Sequence, residues 1–144
     1  MKNNTIKFEI EGIGTINVSA TMKGASNGNK QFRFPHYMFN LKIWSEHGKM
    51  SVTFHDSPLN FSNNVKKLNE EALCDALDCV LCDISMYLND EIRGCYDEKK
   101  DASLIKQVEN GCRMEYEKFM VVVGDEENVL TAIKSLTDQI RENE

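Results

Sequence analysis

The chain has no run of apolar residues near the roughly 20 needed to cross a bilayer. Its opening stretch, MKNNTIKFEIEG, lacks the continuous apolar segment of a secretion signal. Membrane insertion and export are therefore not expected, and a reducing cytoplasm is the expected setting. Glycine is sparse, at eight residues, and none of them falls in a Walker or Rossmann spacing. Nor is there an HExxH helix or an EF-hand loop. Proline occurs twice, at Pro35 and Pro58. The five cysteines, Cys74, Cys79, Cys82, Cys95 and Cys112, are odd in number, and three fall in one short stretch. That pattern is a poor disulfide framework. Basic residues are nearly missing from 69–98, which holds nine acids against Arg93 alone, a net charge of −8. Residues 1–68 carry +5 and residues 99–144 carry −3, giving −6 for the chain. An acidic total repels nucleic-acid backbones and argues against direct nucleic-acid binding. The basic first half leaves a local exception, centred on Lys23, Lys30, Arg33 and Lys42.

What is present is a chain of 144 residues with 41% hydrophobic content, enough for one domain with its own core. Its pattern changes midway. Ile6, Phe8 and Ile10 alternate, as do Ile16, Val18, Ala20 and Met22, with Gly12 and Gly14 between the two runs. This predicts a hairpin. Residues 23–30 read as an exposed polar loop. Pro35 marks a break or an edge. Tyr37, Phe39, Leu41 and Ile43 then alternate with Met38, Asn40, Lys42 and Trp44. A turn over 46–48 leads back through Met50, Val52 and Phe54, a second hairpin.

After a polar connection over 56–68 the period becomes about 3.6. Asn69 reads as an N-cap, with Glu70 and Glu71 suited to the first turn. Leu73, Leu77, Val80, Leu81, Ile84 and Leu88 form the apolar stripe of a helix that ends by Gly94. A second helix is expected after Asp97, with Ile105, Val108, Cys112, Tyr116, Phe119 and Val123 on one face and Gly124 as its stop. A third carries Val129, Leu130, Ile133, Leu136 and Ile140. Strands over 1–57 followed by helices over 69–141 predict an α+β fold. It has an antiparallel sheet of about four strands packed against about three helices. The other face of the sheet would be partly open, with Trp44 and Met38 on it.

Several constellations bear on chemistry. Cys79 and Cys82 lie one helical turn apart and could supply two metal ligands, but Cys74 points elsewhere. Cys95 or Cys112 would have to complete such a site, so plain reduced thiols are the simpler reading and no metal is expected. His55, Asp56 and Ser57 contain the letters of a hydrolase triad. Neighbours in a strand face opposite ways, however, and cannot relay a proton. His36 and His47 read as solvated turn residues. No catalytic group and no cofactor is therefore expected. The acids are more telling. Glu71, Asp75 and Asp78 share a helix side, with Cys82 continuing the row. Asp83 and Asp90 lie towards the flank of the apolar stripe, and Glu91 follows. Capping explains Asp125 to Glu127. It does not explain a stretch of −8 with almost no lysine at i+4.

The segments LKIWSEHGKMSVTFHDS, ALCDALDCVLCDISMY and GCYDEKKDASLIKQVENGC resemble a pattern of small phage and prophage proteins. There a strand pair precedes a helix of form DxLxCLxxDA, and a G-Y-D segment opens the next helix. Asp75, Leu77, Cys79 and Asp83 match the helix, with Val80 in place of Leu and Ile84 in place of Ala. Tyr96 and Asp97 match G-Y-D, with Cys95 in place of Gly. The resemblance covers residues 37–123. It implies a bacterial host cell and an anti-defence setting, anti-CRISPR inhibition included.

These readings combine into one expectation. The protein is a non-enzymatic inhibitor that binds a basic bacterial defence protein, such as a CRISPR effector, through Glu71, Asp75, Asp78, Asp90 and Glu91. It would work by occluding a nucleic-acid channel. A different class of function is a small-molecule or signalling-nucleotide sponge, its ligand on the open sheet face near Arg33, Lys42 and Trp44. A structural or metal-binding domain built on the cysteines is a third. A long amphipathic helix and an open sheet face would also suit a dimer.

Overall fold

The computed structural model describes residues 5–26, 36–56 and 70–142; at 22–26, 36–37 and 55–56 the description is of the backbone. Alternation in the first half produces four strands: β1 (Ile6–Ile10), β2 (Gly14–Ser26), β3 (His36–Trp44) and β4 (Lys49–Asp56). They form one antiparallel sheet in the order β1-β2-β3-β4. Helical periodicity in the second half produces α1 (Glu70–Leu88), α2 (Ala102–Val123) and α3 (Asn128–Glu142). The fold is α+β, as the switch in period predicts.

One face of the sheet is the core. Phe8, Ile10, Ile16, Val18, Phe39, Leu41, Ile43 and Met50 are all buried. Each such side chain contributes about 1.5–3 kcal/mol when withdrawn from water. The helices cover this face in one layer, with α3 beside β1, α1 across β2 and β3, and α2 beside β4. Leu73, Leu77, Val80, Leu81 and Ile84 of α1 fill the middle, and Phe119 of α2 and Leu136 of α3 close the sides. Phe39 and Phe54 stack at 5.6 Å between centroids.

Four local expectations need correction. Residues 23–26 continue β2 and do not form a loop; their backbone pairs with β3 as far as Ser26 opposite His36, past an irregularity between Met22 and Gly24. Ladder hydrogen bonds outweigh the turn-forming composition there. Leu130 is 66% exposed, because Val129 beside it takes the inward position on α3. Leu88 is also exposed, at the end of its helix. Finally, α2 begins at Ala102. Asp97 holds its own turn, its Oδ1 accepting from the backbone N–H groups of Lys99 and Lys100 at 2.9 and 3.2 Å. A 3₁₀ turn, Ile92–Cys95, precedes it. Pro35, residues 27–30, the connection from Ser57 and the Asn69 cap lie outside the described residues.

The β3–β4 turn is tied to the end of α2 and to the β1–β2 turn. Ser45 Oγ donates to the Val122 carbonyl at the end of α2. His47 Nε2 lies 3.2 Å from the Ile13 carbonyl, and its ring packs on Gly124. His47 is thus a bracket between two turns and not simply solvated. Gly124 sits at φ +99°, a conformation that side chains rarely adopt, and closes α2 through a bond to the Met120 carbonyl.

Candidate functional site

Helix α1 buries Ala72, Leu73, Ala76, Leu77, Val80 and Leu81 towards the sheet. The 3.6-residue period therefore turns Glu71, Asp75 and Asp78 outward, and all three are exposed. Cys82 is exposed as well and extends the row. The helix terminates in a left-handed residue, Asp90 at φ +53°. Around it the Glu91 N–H donates to the Met86 carbonyl at 2.9 Å. Asp90 and Glu91 are exposed. The charges of Asp78 and Glu91 both contribute to raising the Cys82 thiol, so Glu91 lies near the end of the row. Among the described residues none of these five acids forms an ion pair. Arg93, the nearby cation, is taken by Glu109 at 2.9 Å.

Behind the patch, the seam between α1 and α2 holds two carboxyl groups. Asp83 of α1 and Glu115 of α2 are both half-buried and share a hydrogen bond. Two carboxylates cannot bond without a proton between them. Burial, followed by the charge of Asp83 and the bond to it, pushes Glu115 up to about 8, opposed by Lys118. Burial raises Asp83 too, while the bond from Glu115 lowers it. The pair therefore shares a proton, with Glu115 the more strongly raised of the two. Oε2 of Glu115 is shielded from solvent and has no hydrogen-bond partner among the described residues. The sequence hinted at this pair only by placing Asp83 near the apolar stripe. Glu115 gave no signal, because its neighbour across the seam is 32 residues away.

The cysteines gather loosely around the same seam. Burial pushes the Cys112 thiol up to about 11, helped by Asp83, Glu115 and Cys82. Burial and then Asp83 and Asp78 raise both Cys79 and Cys82. Such thiols stay protonated at neutral pH, the opposite of what a nucleophile or metal ligand needs. Cys79 and Cys82 do share a side of α1, but among the described residues no three His, Cys, Asp or Glu side chains converge as metal ligands would. The side chains of His55 and Asp56, and Ser57 altogether, lie outside the described residues.

The opposite face of the sheet carries a second feature. Alternation sends Asn17, Ser19, Lys42, Trp44, Lys49 and Ser51 outward. Cross-strand pairing aligns them in two rows, Asn17–Trp44–Lys49 and Ser19–Lys42–Ser51. Lys118 of α2 reaches round the rim of β4, and its Nζ donates to the Ser51 carbonyl at 3.5 Å. All of these but Asn17, together with Ile43 and Met50, line a groove of about 720 Å³. The expected pairing of Lys42 with Trp44 on the open face is present. Arg33, Lys23 and Lys30 fall outside the described side chains. Lys49 and Ser51 were readable from the alternation of β4, whereas nothing local pointed to Lys118.

The chain has no match among protein-family models, curated proteins or solved structures at a significant level. Among the described residues no helix is long and apolar enough to cross a membrane.

Proposed function

We propose that the protein is a non-enzymatic inhibitor that binds a basic protein through the acid patch of α1. The observation that carries this reading is the state of Glu71, Asp75, Asp78, Asp90 and Glu91. All five are exposed, and none is ion-paired among the described residues. Glu71 suits the positive end of the α1 dipole, but the unpaired like charges that follow it cost stability. Asp90 adds to that cost: it occupies a left-handed position and sits at the negative end of the helix dipole. A basic partner would offset these costs on binding and would be steered by the patch at long range. The resemblance to small phage proteins supplies the setting, in which the partner is a bacterial nucleic-acid-processing effector such as a CRISPR nuclease. Carboxylates spaced about 6 Å apart along α1 would then occupy cationic positions meant for phosphates.

The test is a double charge reversal, Asp75→Lys with Asp78→Lys. Both positions are exposed, so the fold should survive. Binding to candidate effector complexes, followed by biolayer interferometry, is expected to weaken by about 100-fold or more, as when charge pairs at an interface become repulsive. Retention of full binding or inhibition by the variant would refute the assignment.

A further inference from the structure

We propose that the groove on the open face of the sheet is a binding site for a nucleotide, its phosphates held by Lys42, Lys49 and Lys118 and its base against Trp44. Three lysines and no carboxylate line the groove, in a chain whose net charge is −6. Lys42 and Lys49 are diagonal neighbours on adjacent strands, a distance at which like charges repel unless something negative lies between them. Lys118 completes a triangle from the rim, and after its bond to the Ser51 carbonyl its ammonium keeps two N–H donors. The hydroxyls of Ser19 and Ser51 flank Lys42 on either side along its row. These are donors for an anion held by point charges, with no guanidinium fork.

Shape and aromaticity narrow the class. At about 720 Å³ the groove falls in the range that encloses a small molecule. Trp44 is a large, half-buried aromatic with Asn17, Lys42 and Lys49 beside it on the outer face of the sheet. Its backbone carbonyl accepts from Asn17 Nδ2 at 3.3 Å, which fixes the strand beneath it. An indole beside a cationic triad suits a ligand with a planar ring at one end and phosphates at the other, since bases stack on aromatic side chains. This site lies across the sheet from the acid patch and does not depend on the function proposed for it.

Trp44 is the single tryptophan of the chain, so its emission reports on the groove directly. The full-length protein would be titrated with ATP and with GTP, and separately with inorganic tripolyphosphate, adenosine and a single-stranded oligonucleotide. At least one nucleotide is expected to quench Trp44 saturably, with affinity falling as salt rises. Tripolyphosphate should compete, while adenosine alone should bind far more weakly. Lys42→Gln combined with Lys49→Gln should weaken nucleotide binding by about tenfold or more, as expected for loss of two phosphate-neutralising charges. Lys134→Gln on α3 should leave it unchanged. Absence of saturable quenching and of binding heat with both nucleotides would overturn the proposal. So would an oligonucleotide that binds over a hundredfold more tightly than either nucleotide, or a Lys42/Lys49 variant that is folded by circular dichroism yet binds as the parent does.

Discussion

Glu115 shows how one residue sets a pH response. Its carboxyl is held up to about 8 in the folded protein, by burial and then by Asp83. In the unfolded chain it returns to the ordinary value near 4.5. Between those two values the native state binds the extra proton, so this group makes stability fall as pH rises. The contribution is complete below about 4.5 and gone above about 8. Glu115→Gln keeps a donor for Asp83 without needing a proton. It is expected to raise the melting temperature at pH 9 by roughly 2–4 °C, corresponding to ~1 kcal/mol once solvent screening of a half-buried group is allowed for. It should also flatten the decline measured between pH 5 and pH 8. A variant less stable than the parent at pH 9 would show that the pair needs a carboxylate on both sides.

Asp90 makes the complementary case, where a residue is poor for the fold and good for the proposed function. In the left-handed position at φ +53°, glycine avoids the Cβ penalty. Asp90→Gly is therefore expected to stabilise by ~1 kcal/mol, through relief of backbone strain and of an unfavourable charge at a helix C-terminus. Chemical denaturation would read the gain. The same variant should bind a basic partner less tightly. An increase in stability with no loss of binding would remove Asp90 from the patch.

At the scale of elements, the strands and helices were legible because their periods are clean. Phe39, Leu41 and Ile43 alternate on one strand, and Leu73, Leu77, Val80 and Ile84 recur at helical spacing. Both patterns report a single buried face, which the fold then uses. The misreadings have a common physical cause, which is that tertiary contacts decide where local chemistry is ambiguous. Residues 23–26 look like a loop by composition but are held by the β3 ladder. Val129 and Leu130 are equally apolar neighbours, and only one can face inward. The acid row on α1 was readable, since exposure follows from the opposite face being apolar. The groove was half readable: Lys42 and Trp44 come from one strand, but Lys118 arrives from an element 67 residues after Ser51.

Docking of the β3–β4 turn against α2 is open to a paired test. A Cβ at Gly48 would overlap the Val121 side chain and press on its carbonyl oxygen at 3.3 Å. Gly48→Ala is expected to cost ~1–3 kcal/mol, the usual penalty of forcing extra volume into a packed contact. Gly111, in the middle of α2, has nothing within 4 Å of the same added atom. Gly111→Ala should instead stabilise by ~1 kcal/mol through helix propensity alone. Urea midpoints moving in opposite directions would verify both; equal shifts would show that the turn does not rest on α2.

Across the whole molecule, charge is sorted by layer. The exposed side of α1 points away from the sheet and carries the acids, while the outer face of the sheet carries Lys42 and Lys49, joined by Lys118 at its rim. The two fields are separated by the apolar core, so a cationic protein and an anionic small molecule would meet the protein from opposite sides. A single acidic total conceals this arrangement.

The rims of the sheet carry a last consequence. On β1 the outward carbonyl of Glu9 accepts from Gln139 Nε2 at 2.9 Å, and on β4 that of Ser51 accepts from Lys118. β1 and β4 are the edge strands of this sheet, and α3 and α2 stand along them. An exposed edge is a template on which a further strand can add, from a ligand or from another copy of the chain. Here a side chain from the helical layer already holds a bonding position on each edge. At these two positions an added strand would first have to displace a side chain of the helical layer.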